Sequence, residues 1–145
     1  MSEDMKEKIK KLKKEGWIDA WFAVEAMAVR EEVVTSALEE HIGNLSKVKD
    51  VFIYEKKLKE IHEISGEGEN KAYSQIIEIK LLIKNMFSFI SVVILYGPSS
   101  IEIMSPKEIE IKIDEAQHIV NMLAGLIHQF AAAGAGGLIF TSKSK

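Results

Sequence analysis

From residue 18 to residue 28 every even position is apolar (Ile18, Ala20, Phe22, Val24, Ala26, Ala28), while the odd ones mix Asp19, Trp21, Glu25 and Met27. Side chains alternate between the two faces of a strand, so this run predicts a strand over 17–28 with one face fully buried and the other partly so. The period then changes. Val33, Val34, Ala37, Leu38, Ile42 and Leu45 recur at helical spacing, with Glu31, Glu32, Glu39 and Glu40 turned outward, which predicts an amphipathic helix over 30–45. A one-faced strand followed at once by a one-faced helix commits the chain to a mixed α and β fold.

Further elements follow from the same two periods. Met5, Ile9 and Leu12 form one stripe of a short helix over 4–15, with Asp4 as its N-cap and Gly16 at its end. Residues 51–64 are β-branched and aromatic at both ends and charged in the middle at Glu55, Lys56 and Lys57, as suits a long, partly exposed edge strand. The polar stretch 65–71 joins it to a strand over 73–84, where the odd residues Tyr73, Ile77, Ile79, Leu81 and Ile83 are apolar, Gln75 is the exception, and the even ones include Ser74, Glu78, Lys80 and Lys84. Residues 85–96 fit a helix stripe and would also tolerate a strand; Asn85 as N-cap and Gly97-Pro98 as a stop favour the helix. Residues 100–104 alternate as a short strand, residues 108–113 alternate again, and Asp114 caps a long apolar helix over 114–133.

In order these elements are a helix, two strand–helix–strand units and a final helix. They predict an α+β, ferredoxin-like βαββαβ antiparallel sheet with two helices on one face, extended by an N-terminal helix within 1–16 and the long C-terminal helix 114–133. The 145 residues are read as a single domain.

Charge is unevenly spread. Of the 41 charged residues, 32 lie in positions 1–84, and none lies between Ala116 and Ser142. That stretch is long enough to span a bilayer, but Gln117, His118, Asn121, His128 and Gln129 interrupt it and Gly134, Gly136 and Gly137 break it, so a buried or intersubunit helix is expected and a membrane span is not. The chain has no cysteine, which excludes disulfides and thiol catalysis and suits a reducing cytoplasm. The acidic and lysine-rich start does not read as a secretory signal. Six lysines between Lys6 and Lys14 are interspersed with acids under a net charge of −3, so a solvated helix face is expected there and nucleic-acid binding is not.

In the predicted sheet, the even residues of the first strand, the odd residues of the third, and Ile101 and Ile103 of the fourth face the helices. The opposite face collects Glu25, Glu78 and Glu102, one from each strand, and Glu60 and His62 of the second strand could join them. Carboxylates grouped beside apolar neighbours are the physical basis of acid–base and cation sites. These five residues are the candidate site, as a ligand-binding or carboxylate cluster. No metal set and no cofactor is expected. Glu115 and His118 have a di-iron spacing without the second copy such a site needs, His118 and His128 do not share a helix face, and His41 reads as a surface residue. Gly134–Gly137 follows a helix, the reverse of a phosphate loop, and reads as a turn into a terminal strand at 138–140.

The turn and strand Tyr96-Gly97-Pro98-Ser99-Ser100-Ile101-Glu102-Ile103, the opening Trp17-Ile18-Asp19-Ala20-Trp21-Phe22-Ala23-Val24-Glu25 and the closing run 131–137 together resemble a small archaeal protein family of unassigned function. The resemblance spans nearly the whole chain and transfers no activity or site residue.

No catalytic motif is recognisable. The expected role is a cytoplasmic, non-enzymatic module that self-associates and binds a small ligand or a protein partner, because the helix over 114–133 is too apolar to leave uncovered: it packs on the open sheet face or on a second subunit. The alternative is a metal-assisted or acid–base enzyme using the carboxylate cluster.

Overall fold

The computed structural model describes residues 1–65 and 71–134, which form four helices and a five-stranded antiparallel sheet. The elements are α1 (Glu3–Lys14), β1 (Ile18–Ala28), α2 (Glu31–Ser46), β2 (Val51–Leu58), β3 (His62–Ser65), β4 (Lys71–Ile83), α3 (Met86–Tyr96), β5 (Ser100–Ser105) and α4 (Ile113–Ala132). Two compact units result, Met1–Ile109 and Glu110–Lys145.

In the first unit the strands run β2-β4-β1-β5, and β3 pairs with β4 beyond the end of β2. Residues 51–64, expected as one strand, are therefore two, interrupted at 59–61, although the Lys59 N–H still reaches the Ile76 carbonyl at 2.9 Å. The break has a partner on the sheet. Gln75, the polar interruption in an apolar series, is buried, donates from Nε2 to the Lys59 carbonyl at 2.9 Å and accepts from the Thr35 hydroxyl at 2.6 Å. A buried amide is tolerated here because both its ends are bonded.

The register gives the sheet its two faces. Ile18, Ala20, Phe22 and Val24 of β1 stand opposite Ile83, Leu81, Ile79 and Ile77 of β4. This face packs on Leu38, Ile42 and Leu45 of α2 and on Phe89 and Val92 of α3, with the Phe22 and Phe89 rings edge to face at 5.7 Å. Ile101 and Ile103 lie opposite Phe22 and Ala20 on the same face, yet they are 41% and 47% exposed, because β5 is the outermost strand among the described residues.

The other face is closed at one end by α1. Asp19 is only 4% exposed, paired with Lys13 Nζ at 3.1 Å, and accepts the Tyr54 hydroxyl proton at 2.7 Å. Lys8 stands 4.3 Å from the centroid of the Phe52 ring. A bulge between Ile53 and Glu55 places Tyr54 where it can reach Asp19: Ile53 faces Leu81 while Glu55 faces Lys80, so one extra residue is accommodated in β2.

Helix ends follow local chemistry. Asn85 caps α3 through Oδ1, which accepts from the Ser88 N–H at 2.8 Å, and Gly97 closes it with φ +53°. Ser2 and not Asp4 caps α1, its hydroxyl accepting from the Met5 N–H at 3.2 Å. Asp114 lies in the first turn of α4, and the flanking residue is Lys112 without a side-chain cap bond.

Residues 108–113 do not form the strand that their alternation suggested. β5 ends at Ser105 before Pro106, which has no N–H to donate, and alternation without a pairing partner is not a strand. In the second unit, α4 is a 20-residue helix followed by Gly134 at φ +77°. The expected strand at 138–140 lies outside the described residues.

Candidate functional site

Beyond the reach of α1, the sheet face opposite α2 and α3 is built in rows that the register dictates. One row runs Glu55, Lys80, Trp21, Glu102 across β2, β4, β1 and β5. The next runs Lys57, Glu78, Ala23, Ser100. Glu25 lies opposite Ile76, and His62 of β3 lies opposite Ser74. All four strand-borne candidates, Glu25, His62, Glu78 and Glu102, thus face the same way.

They are not equally close. Glu60, His62 and Glu78 line one open depression of about 510 Å³, together with Leu58, Lys59 and Ile76. Lys59 Nζ is 3.5 Å from Glu78 Oε2. Glu25 stands diagonally across the β1–β4 ladder from Glu78, and its carboxylate accepts the hydroxyl proton of buried Ser74. Glu102 is separate: at a strand spacing near 4.8 Å and a rise near 3.4 Å per residue, its Cα lies about 12–14 Å from those of Glu78 and Glu25. The structure gathers four of the five candidates at one end of the face and leaves Glu102 on the far edge.

This set can do two things chemically. The carboxylates of Glu60 and Glu78, the Lys59 ammonium, the His62 imidazole and apolar atoms of Leu58 and Ile76 line it together, which suits a small ligand with both charged and apolar parts. Glu60 and His62 could also carry protons. Among the described residues, no group of three or more His, Asp or Glu side chains is placed to hold a metal ion.

Three features were not foreseen from the sequence. The first is the Asp19–Tyr54–Lys13 node. Burial, then the hydrogen bond to Asp19 and the charges of Asp19 and Glu55, push the Tyr54 hydroxyl well above the usual tyrosine range. Asp19 at an odd position of a strand with apolar neighbours was the available signal; its partner, 35 residues away, was not readable. The second is His41, expected at the surface but half buried, with Nε2 2.8 Å from the Tyr96 carbonyl and its ring 5.2 Å from the Tyr96 ring, so that it ties α2 to α3. The third is a depression of about 360 Å³ beside α3, with Lys49, Lys84, Ser88 and Leu95 on its wall. Asp50 accepts the Ser88 hydroxyl proton there at 2.7 Å.

Among the described residues no helix is long and apolar enough to cross a membrane. The MJ0538 family model, named after an archaeal protein of unassigned function, matches residues 19–139, and the chain belongs to that family. No curated protein and no solved structure matches the chain.

Proposed function

Starting from a member of the MJ0538 family, which brings no assigned activity with it, we propose that the chain is a non-enzymatic, cytoplasmic, self-associating module of the ferredoxin-like kind that also binds a small ligand. Supporting the ferredoxin-like reading, β2 and β3 together occupy one edge position, so the chain makes two strand–helix–strand crossovers, through α2 and α3, whose strands interleave in one antiparallel sheet. The observation that carries self-association is the outer strand β5. Ile101, Ile103 and Met104 are 41%, 47% and 40% exposed on a strand whose outer side has no partner among the described residues. Unpaired strand edges with apolar side chains are templates for association. Size-exclusion chromatography with light scattering on the full chain tests the reading: a dimer or larger assembly is expected, and a clean monomer at high concentration overturns it.

The depression beside β3 favours a second reading, acid–base chemistry by Glu60, His62 and Glu78 with Glu25 alongside. Glu78→Gln distinguishes the two. Loss of a measured turnover with unchanged ligand binding would favour the enzyme, and loss of binding with no turnover in either protein would favour the module.

A further inference from the structure

We propose that self-association runs through β5, which pairs antiparallel with β5 of a second copy about a two-fold axis at Glu102. The proposal rests on the self-association reading and names the surface that performs it.

Backbone parity identifies which groups are free. The Ile76 carbonyl accepts from the Lys59 N–H, and the Lys84 N–H reaches the Asp50 carbonyl, so even residues of β4 direct their backbone groups toward β2. Because these directions alternate along an antiparallel ladder, the odd residues of β4 bond to β1. Their partners there are the even residues of β1, which leaves the odd ones for β5. The Ala23 carbonyl does accept from the Ser99 N–H at 2.8 Å, on the β5 side. With Ala23 opposite Ser100 and Trp21 opposite Glu102, the backbone of Ser100 and Glu102 faces inward. The N–H and C=O groups of Ile101 and Ile103 are therefore the ones on the outer edge.

The edge is self-complementary. Placing Glu102 opposite Glu102 of the second copy sets Ile101 of each copy against Ile103 of the other, and these two pairs exchange four backbone hydrogen bonds. The four isoleucines then meet on the face shared with α3, which has no charged residue from Met86 to Tyr96. Moving the axis to Ile103 would oppose Ile101 to Ser105, whose backbone is committed to Asp19, and would halve the bonding.

The other edge of the sheet is unsuited to this role. β2 is bulged between Ile53 and Glu55, the edge is interrupted at 59–61, and Glu55, Lys56 and Lys57 lie along it. Two six-residue edges make a small contact, at the low end of specific interfaces, so the pairing is reversible and concentration-dependent. The two Glu102 carboxylates meet across a close pair, which weakens the contact further at neutral pH.

The cysteine-free sequence makes the register testable in the full chain. In Glu102→Cys the paired Cα atoms stand about 4.5 Å apart, within disulfide range, so most of the protein should cross-link as a dimer under a mild oxidant. In Ile103→Cys the equivalent atoms are about 8 Å apart, and little cross-linking is expected. Glu102→Gln should tighten the dimer about twofold to fivefold. An unsubstituted chain that is monomeric overturns both self-association and this interface. An oligomer in which the position-102 variant does not cross-link, or in which both cysteine variants cross-link equally, overturns the β5 pairing and leaves self-association standing.

Discussion

Asp19→Ala is the most informative single perturbation of the first unit. The carboxylate is 4% exposed and joins three elements, taking the Tyr54 proton at 2.7 Å from β2 and the Lys13 ammonium at 3.1 Å from α1. A hydrogen bond to a charged acceptor contributes about 1.5–3 kcal/mol. Breaking a fully buried ion pair costs about 3–5 kcal/mol. Here the upper figure does not apply, because the Lys13 side chain is 43% exposed and can return to water. The expected cost is therefore about 2–3 kcal/mol, most of it from the Tyr54 hydroxyl left half buried without its acceptor. For a chain of this length that corresponds to a fall in Tm of about 6–10 °C. Asp19→Asn keeps an acceptor for Tyr54 and loses only the charge facing Lys13, so it should cost about 1 kcal/mol. The assay is denaturant and thermal unfolding followed by circular dichroism. A fall of less than 2 °C for the alanine variant, or equal losses for Asn and Ala, would refute the assignment of the node to the Tyr54 hydrogen bond.

The raised Tyr54 value makes the folded state bind a proton that the unfolded chain releases above its ordinary value of 10. Stability from this group is whole below pH 10 and declines as pH rises above it, and Tyr54→Phe should flatten that alkaline decline in unfolding curves measured from pH 8.5 to 11. Gln75→Leu removes both bonds at the β2–β3 break, leaving the Lys59 carbonyl and Thr35 hydroxyl without it, at a cost of about 1–3 kcal/mol by urea titration; a neutral result would show that water replaces the amide. Gly97→Ala meets no atom within 4 Å but must hold φ +53°, so a loss of about 1 kcal/mol from backbone strain alone is expected, and Gly97→Asn should recover part of it.

Much of the architecture was legible locally. The strand at 18–28, the helix at 31–46 and the helix at 113–132 follow from side-chain period, and the end of α3 follows from Asn85 and Gly97, whose capping bonds lie within one turn. Where the reading failed, the missing information was pairing. Residues 108–113 alternate as well as residues 100–104, but only the latter lie along β1. Residues 51–64 carry strand-forming side chains at both ends, but the bulge at Tyr54 and the interruption at 59–61 are properties of the ladder with β4.

The candidate site divides the same way. Alternation alone placed Glu25, Glu78 and Glu102 on a common face, because a period of two assigns a face to every residue once one face is known. Which of them are neighbours was decided by strand order: with β4 between β2 and β1, Glu78 pairs with Lys59 and shares a depression with Glu60 and His62, while Glu102 goes to the far side of the described sheet. Sequence by itself therefore determined the side-chain period of each segment and its inward face, since these depend on interactions over a few residues. Only the tertiary structure decided that Asp19 meets Tyr54, that Gln75 spans the break and that, among the described residues, Ile101 and Ile103 lie on an outer edge, because each depends on the register of strands brought together from distant parts of the chain.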